Sequence, residues 1–388
     1  MNHLQNGILQ LIASAVTGSP RDIPADLDWD AAGKLGHRHG VLPMLYYGAL
    51  QSGVTLPAEV KQKLEMTTFR QVMLSQNQQY ALERLFAAFD EAGIAYMPLK
   101  GTLLKAMYPK AEMRSMGDAD VLIRMEQYDR IREMMPTLGY TRVAESDHEL
   151  IWKCPALLLE LHKRLIPSYN KDYFAYYGDG WQLAKVQRGS RYGMTDEDML
   201  IYLFTHFAKH YRDGGIGLKH MVDLWLYRHH KPDLDEAYLQ KELTALQLYD
   251  FYRHVCRTLA VWFEGAEGDA RTALITDFVF GSGMFGSKEN HLLSDGVRLS
   301  RQGGNAKRRK AVRLVLLPYA NMCVKYPWLK KVPVLLPVMW VWRIATVLLF
   351  KSGRIRENKE NLDRMKAEDI QSYQDALLFV DLDFRFEE

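Results

Sequence analysis

The sequence is poor in cysteine, with only Cys154, Cys256 and Cys323 among its 388 residues. They are far apart and odd in number, and none shows the short spacing of a C-x-x-C motif or a zinc site. This scarcity excludes a disulfide-stapled scaffold and predicts buried free thiols in a reducing compartment.

The chain also lacks an excess of charge of either sign. Lys and Arg number 50 against 47 Asp and Glu, which leaves a net charge of +3. Such a balance excludes a chain-wide electrostatic footprint for nucleic acid and leaves only local basic surfaces. Hydrophobic residues at 48% and charged residues at 25% exclude long disorder and collagen-like sequence.

Two familiar motifs are missing as well. The first twenty residues have no basic segment and only a short apolar stretch, so they predict a first helix rather than a signal peptide. Residues 101–105 lack the second glycine and the Gly-Lys-Ser/Thr ending of a P-loop.

Only one long apolar run is present, from Val332 to Phe350. Its length approaches the roughly 20 residues of a spanning helix, but Pro333, Pro337 and the central Arg343 argue against spanning. A buried core helix is the first interpretation, an interfacial helix the second and a true span the third. Peripheral membrane contact through 305–350 is a further alternative, since basic residues there would suit an anionic surface unless they simply form a solvated helix face. These basic residues are Lys307, Arg308, Arg309, Lys310, Arg313, Lys325, Lys330 and Lys331.

The length predicts two or three domains, and the residue pattern divides the chain into four regions. Residues 1–93 show helical spacing, with Gly93 as a helix C-cap. Residues 94–190 alternate strand-like and helical stretches, which predicts a small mixed-sheet α/β core. Residues 195–300 are helical and pack on that core, and 305–388 form a helical, apolar C-terminal region. The predicted fold class is α+β.

Finer features support this division. Thr195, followed by three acids, predicts the start of a long helix. Residues 300–310 are the best candidate for a linker, and Asp375 to Phe386 alternates like a terminal strand. Strands of the core are predicted at residues 94–99, 119–124, 140–143, 149–153 and 157–162.

Lys100, Gly101 and Thr102 lie at a predicted strand-to-helix junction. Glycine there lets the backbone approach an anion, and the helix N-terminus offers free N–H groups. The lysine adds a charge and the threonine a hydroxyl, so the junction predicts phosphate binding.

Three carboxylates follow on predicted strands. Asp118 and Asp120 are two residues apart, which points both side chains to one face of a strand. Glu160 lies between two leucines, where a carboxylate is costly to bury unless it is compensated. Together they predict a site for hard divalent cations such as Mg²⁺, and two such ions can clamp the oxygens of an in-line displacement. The alternative for the aspartates is a strand-edge pair with a solvated face.

Arg114 and Ser115 precede the acidic pair, and a guanidinium group suits a carboxylate or a phosphate. A surface arginine in a loop is the alternative. His162 shares the face of Glu160 two residues earlier, so it could bond a carboxylate or phosphate. Its alternative is a satisfied core histidine.

This set of residues resembles the uncharacterised bacterial nucleotidyltransferases of the DNA polymerase beta superfamily. That superfamily has a Gly-Gly/Ser turn, then an Asp-x-Asp strand, then a third acid on a later strand. The matching motifs here are Leu99 to Thr102, Tyr108-Pro109, Arg114, Met116 to Asp120, and Leu159 to His162. The resemblance covers residues 30–230 well and the C-terminal third weakly.

Four departures from the superfamily pattern stand out. Lys100 replaces a common glycine, Thr102 a serine and Glu160 an aspartate, and the gap from Thr102 to Asp118 is slightly long.

The resemblance implies that NMP moves from an NTP to an acceptor hydroxyl, with release of pyrophosphate. Asp118 and Asp120 would hold a Mg²⁺ or Mn²⁺ ion on the triphosphate. Glu160 would complete a second metal site and orient or deprotonate the acceptor. Gly101 and Thr102 would contact the β and γ phosphates, and Lys100, together with Arg114 and Ser115, would complete the phosphate site.

A helical region downstream supplies a candidate acceptor pocket, because the resemblance places it beside the site. His206 and His210 share one helix face, with Lys209 alongside. No glutamate follows His206, which argues against a zinc site of the His-Glu-x-x-His type. Lys219 and Asp223 lie four apart on the next helix, where a surface ion pair is the alternative.

The sequence therefore predicts a cytoplasmic, metal-dependent nucleotidyltransferase that uses ATP or another NTP. The acceptor stays open among a small molecule, a sugar, a protein and an RNA end. The rival interpretations are a catalytically silent nucleotide-binding protein and a membrane-associated assembly protein for surface polysaccharides, with a toxin-linked transferase as a third.

Overall fold

The computed structural model of the protein is an α+β fold, with helices around one mixed sheet, as predicted. The predicted basic run from Lys307 to Arg313 and the linker beyond residue 301 lie outside the described residues. The structure describes residues 1–284, 286–301, 316–317, 319, 322–323, 326–350 and 366–384.

Four helices precede the sheet, in the region where helical spacing predicts helices: α1 (His3–Thr17), α2 (Trp29–His39), α3 (Leu42–Gln51) and α4 (Ala58–Glu91). Helix α4 ends where Gly93 takes a φ of +62°, and the N–H of Ile94 donates to the carbonyl of Phe89 at 2.8 Å. This glycine-dependent turn closes the helix and directs the chain into the first strand.

The sheet has seven strands in the order β3-β4-β5-β2-β1-β7-β6. Strand β2 pairs parallel with β5 and antiparallel with β1. The strands are β1 (Tyr96–Pro98), β2 (Asp118–Ile123), β3 (Thr141–Glu145), β4 (Glu149–Lys153), β5 (Leu158–His162), β6 (Lys185–Arg188) and β7 (Arg191–Gly193). Three short helices lie between strands: α5 (Gly101–Leu104), α6 (Tyr128–Met134) and α7 (Lys171–Tyr177).

Alternation along β2 and β5 divides the sheet into an apolar and a polar face. Ala119, Val121, Leu159 and Leu161 are fully buried in a core that includes Leu82, Leu85 and Phe89 of α4. The residues between them, including Asp120 and Glu160, point to the opposite face. A second and larger core fills the helical half beyond that face.

The later helices of this half are α8 (Asp196–Asp213), α9 (Leu218–His230), α10 (Glu236–Ala245), α11 (Tyr249–Phe263), α12 (Ala270–Ser282) and α13 (Lys288–Arg301). Helix α14 (Leu336–Phe350) packs instead against a small separate cluster that includes Met322 and Leu329, and α15 (Ala367–Phe379) returns to the large core. The predicted start at Thr195 is confirmed, because its hydroxyl accepts from the N–H of Asp198 at 3.1 Å. This cap fixes the start of the helix that forms one wall of the site described below.

One expectation about secondary structure was wrong, and three elements were not predicted. Strand β6 is exposed at every residue and shows no apolar alternation, and β7 and α7 were missed with it. The predicted terminal strand at 375–386 is instead the end of α15, which buries Ile370, Tyr373 and Leu377 at helical spacing. Beyond it, Val380, Leu382 and Phe384 are buried without forming a strand.

The apolar run from Val332 to Phe350 is not a buried core helix where the structure describes its side chains. Val334 is 82% exposed, and Val338, Val341 and Trp342 are also exposed. Within the described part of the chain, no helix combines the length and the apolar character needed to cross a bilayer.

Candidate active site

The acidic site lies where β2 and β5 run side by side. Their parallel pairing sets Asp120 opposite Glu160, and Asp118 is two residues earlier on the same face of β2. His162 follows Glu160 by two residues and is buried on that face. One ligand atom each from Asp120, Glu160 and His162 lies within 4.8 Å of the others. The residues that the sequence predicted to share one face therefore lie close together in the structure.

Asp120 is held by two donors that share one of its oxygens. Lys100 Nζ and His162 Nε2 each lie 2.8 Å from Asp120 Oδ1. Burial alone would raise the pKa of Asp120, but the charge of Lys100 and the hydrogen bond from His162 hold it below its usual range. Asp120 is therefore an anion although it is only 5% exposed.

The neighbouring acids also shift the pKa values of Asp118 and His162. Burial and the charges of Asp120 and Glu160 raise the pKa of Asp118. Burial alone would lower the pKa of His162, but hydrogen bonds to Asp120 and Glu160 raise it. A further pair, His148 Nε2 and Glu149 Oε2 at 3.0 Å, extends the site onto β4.

The junction between β1 and α5 has an unusual backbone. Lys100 takes a φ of +39°, a region that favours glycine and costs other residues about 1–3 kcal/mol. A Cβ at Gly101 would lie 2.6 Å from Arg114 Nη1, so glycine there makes room for the guanidinium. The Thr102 hydroxyl is buried without a hydrogen-bond partner in the described structure and does not line the cavity beside the acids.

Arg114 is committed to Asp223 on α9. Its Nε and Nη2 donate to the two carboxylate oxygens at 2.7 and 2.8 Å, and Tyr108 Oη donates to Oδ1 at 2.7 Å. This bidentate pair is buried, so the alternatives of a surface arginine and of a surface pair between Lys219 and Asp223 were wrong. The interaction ties the loop before β2 to the helical half.

Ser115 links the same two parts through its hydroxyl and its backbone carbonyl. Its hydroxyl donates to the Gly40 carbonyl at 3.2 Å, and its carbonyl accepts from Lys219 Nζ at 3.2 Å. The side chain of Ser115, like that of Thr102, does not line the cavity.

A cavity of about 370 Å³ separates the acidic wall from helices α8 and α9. Twelve of the fourteen site residues proposed from the sequence line it: Lys100, Gly101, Arg114, Asp118, Asp120, Glu160, His162, His206, Lys209, His210, Lys219 and Asp223. The structure thus brings both strand and helix candidates to one space.

The helical wall of the cavity is rich in histidine and lysine. His206 and His210 share a hydrogen bond between their Nε2 atoms at 3.0 Å, and burial lowers the pKa of both well below the usual value. Burial, with the nearby charges of Lys100 and Arg114 respectively, lowers the pKa of Lys209 and of Lys219 to about 8. At neutral pH the lysines are charged and these two histidines are neutral.

Sequence reasoning gave no role to His148, Glu149, His220 and His291, which also line the cavity. Glu149 stands in register with His162 across β4 and β5. Strand β4 was predicted, but its register with β5 was not, so the sequence held no signal that its first residue reaches the site.

The donor set fits a divalent metal ion. Carboxylate oxygens are the ligands that Mg²⁺ and Mn²⁺ take in proteins, and Asp118, Asp120 and Glu160 offer them on one wall. Asp120 Oδ2 accepts no hydrogen bond from a described residue, so it is the aspartate oxygen open to an ion.

Comparisons with known proteins place the chain in a family. A sequence profile of the family described as "Uncharacterised nucleotidyltransferase" matches residues 25–264, more than half of the chain. A solution structure of the antibiotic-resistance factor ANT(2'')-Ia matches with 15% identity and a TM-score of 0.33, covering 46% of this chain and 98% of that one. A match this weak carries no conclusion. No protein of curated function matches significantly. On the profile match, the chain belongs to the uncharacterised nucleotidyltransferase family.

Proposed function

We propose that the protein transfers a nucleotidyl group from an NTP to an acceptor hydroxyl, at a divalent-metal site formed by Asp118, Asp120 and Glu160. One observation carries the proposal. The parallel pairing of β2 and β5 sets Asp120 beside Glu160, with Asp118 on the same face, at the wall of a cavity. The family match supports the reaction class.

In the proposed reaction the acceptor oxygen attacks the α-phosphorus of the NTP. A new P–O bond forms, the bond to the β-phosphate bridging oxygen breaks, and pyrophosphate leaves. Glu160 orients the acceptor hydroxyl and takes its proton. A bound Mg²⁺ or Mn²⁺ would supply positive charge to the phosphate oxygens.

The lysines of the helical wall suit the phosphates. Lys209 and Lys219 line the cavity and form no ion pair with a described residue. Arg114, which the sequence nominated for phosphate, is already neutralised by Asp223. We therefore assign the phosphates to Gly101, Lys209 and Lys219, with His206 and His210 left for the acceptor.

Ligand-dependent stability tests the proposal directly. Thermal unfolding is measured with each NTP, with and without Mg²⁺, and a ligand at about 100 times its Kd should add about 2.7 kcal/mol of stability. The gain should require Mg²⁺ and vanish in Asp118→Asn. The matched control is Asp233→Asn, which changes an exposed aspartate of the same charge and should keep the gain.

Transfer itself needs a labelled substrate. NTP labelled at the α-phosphate, incubated with the protein and candidate acceptors, should yield a labelled acceptor and pyrophosphate. Nucleotide binding without transfer to any acceptor class would favour the silent nucleotide-binding protein. No Mg²⁺-dependent stabilisation with any NTP would refute the proposal.

A second proposal concerns location: the protein works in the cytoplasm and touches an anionic membrane surface through 305–350. The exposed Val334, Val338, Val341 and Trp342 support the contact. The free thiols Cys154, Cys256 and Cys323 support a reducing compartment. Vesicles containing phosphatidylglycerol should sediment the protein at low salt, and Val338→Ser with Trp342→Ser should weaken this. Equal sedimentation with neutral vesicles, or none at all, would contradict the contact.

A further inference from the structure

Lys100 stands at the acidic site in a backbone conformation that does not suit lysine. Its φ of +39° and ψ of −114° lie in the region that glycine adopts freely. Strained residues of this kind persist only where the surrounding structure holds them in place, and they cluster at functional sites. The side chain of Lys100 runs into the site and is only 16% exposed.

The ammonium group of Lys100 is placed on the metal-binding acid itself. Its Nζ lies 2.8 Å from Asp120 Oδ1, which also accepts from His162 Nε2 at 2.8 Å. A carboxylate oxygen has two lone-pair directions, and these two donors use both. Oδ1 is therefore closed to a metal ion while Lys100 and His162 stay in place.

The balance of charge at the acidic site also favours a single divalent ion. Asp118, Asp120 and Glu160 carry three negative charges when ionised, and the ammonium neutralises one of them. A single divalent cation balances the two that remain. A second cation would have to share Asp120 with an ammonium group that its own charge repels.

We propose that Lys100 is a resident cation of the acidic site, so that the site binds one divalent ion where the carboxylate set alone would hold two. This inference rests on the metal site of the proposed function and specifies its composition. In it, Lys100 supplies fixed positive charge beside Asp120, and the single ion uses Asp120 Oδ2 together with Asp118 and Glu160.

Counting bound Mn²⁺ tests this without measuring activity. Free Mn²⁺ is followed by electron paramagnetic resonance as the ion is titrated into the full-length protein, and Glu160→Gln supplies the background of unspecific binding. The wild type should bind about one Mn²⁺ per chain at this site. Lys100→Gly, which also removes the backbone strain, should bind about two.

Three further variants separate charge from shape. Lys100→Met keeps most of the side-chain volume without the charge and should also bind two ions. Lys100→Arg keeps the charge and should bind one. Lys209→Met removes a lysine elsewhere in the cavity and should leave the count at one. Thermal unfolding of each variant shows that it is folded.

The outcomes are distinct. Two ions on the wild type, or one ion on both Lys100→Gly and Lys100→Met, would overturn the inference and leave the proposed transfer intact. No Mn²⁺ on the wild type, with the same background as Glu160→Gln, would overturn both the inference and the metal site on which it rests.

Discussion

The two faces of strands β2 and β5 carry opposite chemistry on one backbone. On one face, Ala119, Val121, Leu159 and Leu161 are fully buried against α4. On the other, Asp118, Asp120, Glu160 and His162 line a cavity. The first face is stabilised by apolar burial, and on the second the charge of Asp120 is compensated by Lys100 and His162. The comparison teaches that stability and chemistry are separable on the same strands.

The largest effect on stability is expected at the buried ion pair between Arg114 and Asp223, beside the polar face. Asp223→Ala leaves the Arg114 guanidinium without its partner inside the protein, so the free energy of unfolding should fall by about 3–5 kcal/mol. Urea denaturation measures this. Replacing both partners, with Arg114→Met and Asp223→Leu, should cost clearly less because no buried charge is left unpaired. An equal loss in the double variant would show that packing, not charge pairing, dominates.

The apolar face should respond next most strongly. Leu159→Ala removes a fully buried side chain and should lower the free energy of unfolding by about 2–5 kcal/mol. Mn²⁺ affinity should stay within a few-fold of wild type, provided that the variant is folded at the temperature used. Val143→Ala on β3 is the control, because Val143 is exposed and its loss should change stability by less than about 0.5 kcal/mol. A large fall in metal affinity for Leu159→Ala would break the separation of the two faces.

The converse change should affect binding and spare the fold. Glu160→Gln removes a proposed metal ligand, and its effect on Mn²⁺ affinity should exceed the roughly 10–100-fold typical of outer partners. Stability without metal should hold or rise, since one charge fewer faces Asp118 and Asp120. Titration calorimetry and urea denaturation measure the two quantities. Glu126→Gln, at an exposed position, is the control. Loss of the folded state in Glu160→Gln would make this carboxylate structural.

Local patterns in the sequence predicted the strands and much of the site. A period of two placed Asp118 and Asp120 on one face, and the apolar flanks of Glu160 marked it as a carboxylate that needs compensation. The Thr195 cap likewise depends on residues within one turn. These features could be predicted because each is decided by neighbours in the chain.

Long-range pairing could not be predicted in this way. Arg114 and Asp223 are 109 residues apart, and the residues around each of them do not predict the pairing. The positive φ of Lys100 accompanies a hydrogen bond to Asp120, 20 residues further along the chain, and no residue next to Lys100 predicts that conformation. The exposed hairpin of β6 and β7 lacks apolar alternation, although the two-residue Gly189-Ser190 turn between the strands is a signal that could have found it.

Two buried histidines, His39 in the helical half and His162 beside the acids, have pKa values shifted in opposite directions. His39 in the helical half is fully buried, and both ring nitrogens have backbone partners. Nδ1 accepts from the Leu218 N–H at 3.3 Å, so Nε2 is the donor to the Phe280 carbonyl at 3.2 Å. Burial lowers the pKa of His39 to about 4, whereas the acids raise that of His162.

The smallest effect should therefore appear as a pH dependence of stability. His39 is neutral in the folded state, but the unfolded chain takes up a proton at this residue below about pH 6.5. The unfolded state then binds more protons, so stability is full above pH 6.5 and falls as the pH drops towards 4. Between about pH 7.5 and pH 5, protonation of His39 in the unfolded chain should lower the free energy of unfolding by about 2 kcal/mol. His39→Gln, which keeps an N–H donor without a titrating ring, should flatten the slope by that amount in urea denaturation. An unchanged slope would mean that the fold relaxes to solvate the imidazolium of His39. Burial would then not lower the pKa of a histidine in the helical half.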